Sequence, residues 1–214
     1  MAEEAIPYNK VGSSKPETVA DVAESEGISE EEWRAQNLPA SKLEFRWRYT
    51  NKTVHLYERR LRSLAAFNVG PAVQAWVRSR LEWVRDNKLY EMPDGLIVLT
   101  IDPEGMVDVQ QEQLSQTPVL THALIEADEV PGTLWAARDG QLVVGEAPRH
   151  AADTLVRDLA TTLGYEVVQG EASLDDAELF AVSDEFGLIP VEGTTGPVIS
   201  RLSECFDKLW SLDK

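Results

Sequence analysis

Residues 133–144 read TLWAARDGQLVV, with Asp139 and Gly140 between two apolar runs. An Asp-Gly pair supplies the two left-handed conformations that a two-residue hairpin turn requires, so this segment predicts an antiparallel hairpin. A second stretch, KLEFRWRYTNKTVHLY from Lys42 to Tyr57, alternates apolar and polar residues around Thr50-Asn51-Lys52-Thr53 and predicts another. Two hairpins interrupt any regular strand–helix–strand alternation. The fold class that follows is α+β.

Helical signals lie between and around the hairpins. The segment ETVADVAESEGISEEEWRAQN, from Glu17 to Asn37, predicts two short helices. Val19, Val22 and Ala23 share a face, Gly27 ends the first helix, and Ser29 with Glu32 makes a capping box for the second. The pattern turns helical again from Leu56 to Phe67. A longer helix follows, in which Val73, Trp76, Val77, Leu81 and Val84 fall on one face. GLIVLTIDP predicts a short buried strand, and residues 106–122, rich in glutamine, predict a loop or a weak strand. AADTLVRDLATTLGYEVVQG predicts a helix ended by Gly164 and then a strand, and GPVISRLSECFDKLW a final amphipathic helix. ELFAVSDEFGLIPV, from Glu178 to Val191, joins two apolar runs through a turn that carries Asp184 and Glu185.

Charge and composition exclude several roles. The net charge of −17 is uneven: residues 41–90 carry +7, residues 91–214 carry −18. So acidic a chain repels nucleic acid and anionic membranes, and neither is an expected partner. No run of eighteen apolar residues is present, so no membrane span is expected. The opening residues are acidic and polar, unlike a secretory leader. Cys205 is alone, which excludes an internal disulfide and a cysteine-built metal site. These features lead us to expect a cytoplasmic protein. His55, His122 and His150 lack metal-ligand spacing, and Asp175-Asp176 and Asp184-Glu185 read as solvated turns, so no metal site is expected.

The ordered set of segments resembles the class IV aminotransferase family, the pyridoxal-phosphate (PLP) group of D-amino-acid and branched-chain aminotransferases and aminodeoxychorismate lyase. The resemblance rests on VHLYERRLRSLAAFNV, GTLWAARDGQLVV, the run from Ala151 to Val191, and GPVISRLSECFDKLW, and it covers residues 43–212. It implies a small α/β domain and a larger β-rich domain with a reduced central region. The expected boundaries are an acidic helical extension at 1–40, the small domain at 41–105 and a cofactor-type domain at 106–214.

The family's PLP is held by a lysine, an arginine, a glycine-isoleucine-threonine turn, a hydroxyl-rich loop and a glutamate. By resemblance, Arg60 matches the arginine, with Tyr57 where the family has histidine. His150, Ala151 and Ala152 match the turn, Ser183, Asp184 and Glu185 the loop, and Glu129 the glutamate. Arg60, Glu129 and Ser183 are thus the vestigial cofactor-binding candidates. The lysine has no counterpart: none lies between Leu89 and Asp207. Only a primary amine can form the covalent link to PLP, so no catalytic residue is assigned and no cofactor is expected. On this reading Asp184 and Glu185 lie on an empty turn facing water, with Arg60 opposite. The expected function is a non-catalytic binding or scaffold protein, a homo-oligomer with an unknown protein partner. Two alternatives stand beside it: a PLP-dependent aminotransferase or lyase whose lysine lies elsewhere, and a small-anion binder using Arg60.

Overall fold

The structure, a computed structural model, describes residues 18–88, 92–146, 150–194 and 196–210. The chain divides into two compact units, Met1–Leu114 and Ser115–Lys214.

In the first unit, α1 (Val19–Glu26) and α2 (Glu30–Asn37) precede β1 (Leu43–Thr50) and β2 (Thr53–Val54). Then come α3 (Tyr57–Ser63), running on as a 3-10 turn to Phe67, α4 (Pro71–Asn87), β3 (Gly95–Ile101) and β4 (Val107–Glu112). The sheet order is β2-β1-β3-β4, antiparallel throughout. Asn51 and Lys52 both take positive φ, the conformation that lets a two-residue turn follow the strand twist. All five apolar residues predicted for one face of α4 are buried. Trp76 stacks on Trp33 of α2 with ring centroids 5.3 Å apart. Val19, Ala23 and Trp33 enter the same core as the sheet.

The first compact unit runs on past β3 to Leu114. The glutamine-rich segment forms β4 and pairs with β3 from Leu96↔Glu112 to Ile101↔Val107, which holds it in the first unit. At the N terminus, the complete capping box is Thr18 with Asp21, where each side chain meets the other's backbone N–H. Ser29 caps α2 by accepting the Glu32 N–H.

The second unit contains α5 (His122–Glu126), β5 (Thr133–Arg138), β6 (Gln141–Val144), α6 (Ala151–Leu163), β7 (Glu166–Gln169), β8 (Glu178–Ser183), β9 (Gly187–Pro190) and α7 (Pro197–Trp210). The strand order is β7-β6-β5-β8-β9. β6 and β7 run parallel, joined through α6, and the other neighbours are antiparallel. The Asp139-Gly140 turn forms as predicted, with φ of 52° and 79°. One sheet face, including Ala136, Leu179, Ala181 and Ile189, packs against Leu124 and Ile125 of α5. The alternate residues Trp135 and Phe180 stack on each other with centroids 6.1 Å apart, on the face where Trp135 meets α6.

Candidate functional site

Several chain segments end at one end of the second sheet. β5 starts there, β6 and β7 finish there, and the β8–β9 turn stands beside the N terminus of α6. Gly132 precedes β5 with φ of 113°, and a Cβ at that position would collide with the Val182 carbonyl oxygen. Only glycine lets the chain enter β5 so close to β8. A cleft of about 460 Å³ opens at this end, lined by Gly132, Thr133, Gly145, Glu146, His150 and Glu171 among others.

Behind the cleft lies a polar cluster built on α6. His150 is the N-cap residue and makes no side-chain cap bond. The cap comes from a residue distant in sequence: Asp184 Oδ1 accepts the backbone N–H of Ala152 at 2.8 Å. Asp184 is 8% exposed. This overturns the expectation that it sits on a water-facing turn. A carboxylate at a helix N terminus meets free N–H groups and the positive end of the helix dipole, which draws it out of water. The second oxygen, Oδ2, lies 3.9 Å from Nδ1 of His150.

Asp153, in the first turn of α6, is more deeply buried at 2% exposure. Its oxygens accept the indole N–H of Trp135 at 3.0 Å and the hydroxyl of Thr133 at 3.1 Å. Burial pushes its carboxyl up to about 7, and the charge of Asp184 acts in the same direction. The two hydrogen bonds and the Arg157 cation oppose this rise without cancelling it. Ser183, half-buried, accepts the backbone N–H groups of Glu185 and Phe186 with its hydroxyl, which shapes the turn that presents Asp184.

The other expected site residues are placed as follows. Glu129 is exposed in the loop after α5. Arg60, in the first unit on α3, is fully buried, with its guanidinium 5.7 Å from the centroid of Trp47. Asp176, expected in a solvated acidic turn, is instead clamped by Arg138 through two bonds of 2.6 and 2.7 Å and accepts the Ser173 N–H. His55 is buried, with Nε2 2.8 Å from the Thr50 hydroxyl. No group of three or more histidine, cysteine or acidic side chains suits a metal ion among the described residues.

Sequence reasoning missed Asp153 and Glu178. Glu178 reaches the N terminus of α7, where Oε2 accepts the Ile199 N–H at 2.8 Å. Asp153 had a usable signal, since an acidic residue three positions into a helix favours the dipole. Glu178 had none, because its partner is 21 residues away.

No protein-family model and no curated protein matches the sequence. Solved structures do match the fold. A hypothetical aminotransferase from Mycobacterium tuberculosis, in its PLP-bound form, is 12% identical with a TM-score of 0.63, over 98% of this chain and 99% of that one. A hypothetical aminotransferase from Mycobacterium tuberculosis in its apo form is 13% identical with a TM-score of 0.61, over 81% of this chain and 90% of that one. The 4-amino-4-deoxychorismate lyase from Pseudomonas aeruginosa gives 15% and 0.58, over 81% and 92%. Likeness at these identities establishes the fold alone, and that fold is the one shared by the class IV aminotransferases and aminodeoxychorismate lyases.

Proposed function

We propose that this chain is a non-catalytic protein on the class IV fold, acting by binding rather than by PLP chemistry. The observation that carries the reading is the carboxylate of Asp184 on the Ala152 N–H at the start of α6. A helix N terminus is where a phosphate group finds free N–H donors. Here a buried carboxylate takes that donor, and a second acidic residue, Asp153, stands in the same turn. A phosphate dianion beside Asp184 would face like charge with little screening. The residues of this turn therefore do not fit the group.

The lysines support the same reading. A covalent PLP link needs a primary amine, and the second unit's described lysine is Lys208, exposed on α7 and bonded to Glu204 at 2.6 Å. Arg60, the candidate phosphate anchor, is fully buried against Trp47, which favours a structural role.

One observation favours the alternative, a PLP-dependent aminotransferase or lyase: the PLP-bound neighbour spans nearly the whole of both chains. Mixing the protein with PLP separates the readings. We expect no absorbance band in the internal-aldimine region, roughly 410–430 nm, and no borohydride-stable adduct. A near-stoichiometric adduct on any lysine would overturn the proposal. Thermal melts with phosphate, against chloride at matched ionic strength, address the small-anion reading. We expect no phosphate-specific rise in melting temperature.

A further inference from the structure

Asp153 and Asp184 are two buried carboxylates at the same helix turn, held by different parts of the chain. Asp153 belongs to α6 and is fixed by Trp135 and Thr133. Asp184 belongs to the turn between β8 and β9 and touches α6 through the Ala152 N–H. α7 packs on α6 and on β9, and its charged residues Arg201, Glu204, Asp207 and Lys208 are exposed. β5 contributes the neutral donors Thr133 and Trp135. α6 contributes His150 beside Asp184, and Arg157, whose guanidinium lies 5.2 Å from the centroid of the Trp135 ring. The turn contributes Asp184 itself, followed by the half-buried Glu185. Two poorly hydrated carboxylates at one helix turn repel each other when both are charged.

We propose that Asp153 and Asp184 form a proton-operated latch: a proton on Asp153 keeps the β8–β9 turn seated on the first turn of α6, and its loss loosens that turn. With the proton on Asp153, the Asp184 carboxylate keeps its bond to the Ala152 N–H with no second charge beside it. When the proton leaves, a second buried negative charge faces Asp184. Asp153 is part of the helix and cannot move away. Asp184 is on a turn, so it is the partner that withdraws. Burial places the ionisation of Asp153 at about 7, so the latch works in the neutral range.

Nitrogen-15 NMR on the full chain tests this over roughly pH 5.5 to 8.5, a span that brackets the ionisation. The reporters are the indole N–H of Trp135 and the backbone amide of Ala152. Both signals should titrate with a common midpoint near 7. Above it, the Ala152 amide should exchange about tenfold faster after correction for the intrinsic rate. Asp153→Asn keeps an acceptor for Trp135 and should abolish both titrations, whereas His150→Gln should leave the midpoint in place. Flat signals across the range would overturn the latch. So would a titration that survives Asp153→Asn, or one that disappears in His150→Gln, which would assign the proton to the imidazole. If Asp153→Asn does not fold, the wild-type and His150→Gln titrations still decide the matter.

Discussion

Glu178 accepts the backbone N–H of Ile199 at 2.8 Å, a bond that ties the first residue of β8 to the first turn of α7. With Asp184 just beyond the other end, β8 is flanked by carboxylates that cap two different helices. The chain approaches so closely that a Cβ at Gly196 would run into the Glu178 side chain. Glu178→Ala should cost about 1–2 kcal/mol, the usual loss for a helix cap, and Glu178→Gln should cost less because an acceptor remains. Urea denaturation of both variants checks this. Equal stability of Glu178→Ala and wild type would refute the capping role.

Gly132 makes a sharper demand. Its φ of 113° is a conformation that side-chain-bearing residues rarely adopt, and the obstruction is the Val182 backbone, which cannot rotate aside. Gly132→Ala should destabilise by roughly 1–3 kcal/mol or more, the cost of a residue held in a disfavoured backbone region. A urea midpoint unchanged from wild type would show that β5 and β8 can separate at that end.

The ionisation of Asp153 gives a pH dependence of definite sign. Its carboxyl is raised in the fold from 3.8 to about 7. The native state therefore binds this proton more tightly than the unfolded chain does. Its contribution to stability is complete below 3.8, declines as pH rises, and is gone above about 7. The difference is on the order of 4 kcal/mol at 1.36 kcal/mol per pH unit. Other carboxylates work in reverse: hydrogen bonding from Arg138 lowers Asp176, which loses stability as pH falls. The informative measurement is thus the difference between wild type and Asp153→Asn. That difference should tilt toward the variant as pH rises from acid to neutral.

Arg60 tests the first unit. Its side chain is fully buried beside Trp47 and Leu61 is buried next to it in sequence. Arg60→Ala should cost about 2–5 kcal/mol, the range for truncating a large buried side chain. A loss well below 1 kcal/mol would mean that the side chain stands at an open surface, as the anion-binding reading requires.

Much of the fold was legible because its signals are local. The Asn51-Lys52 and Asp139-Gly140 turns have conformations set by two residues, and α4 declares its buried face by spacing alone. α5 was not legible, since its five residues are too few to show a period and none is buried. β4 was half legible: Val107 and Val109 face the core, but the polar run after them hides the strand that β3 holds in register. The candidate site was the least legible part. Ser183, Asp184 and the α6 turn were singled out, yet Asp184 reads as a surface acid until a helix 32 residues away supplies its donor. Asp176 misled in the same way, because its cation, Arg138, is 38 residues distant.

The second sheet has a consequence for how the protein behaves in a crowded solution. β9 is an edge strand and ends in Pro190. The Val191 N–H points inward to the Leu179 carbonyl, so by alternation the nitrogen of Pro190 faces outward. Outward is where an incoming strand would look for a donor, and proline has none. Just beyond, Leu120 bridges Val191 and its carbonyl accepts the Glu192 N–H, covering the next stretch of backbone. Strands from neighbouring molecules thus find little to pair with along this margin, and the sheet is protected there against growing into an aggregate.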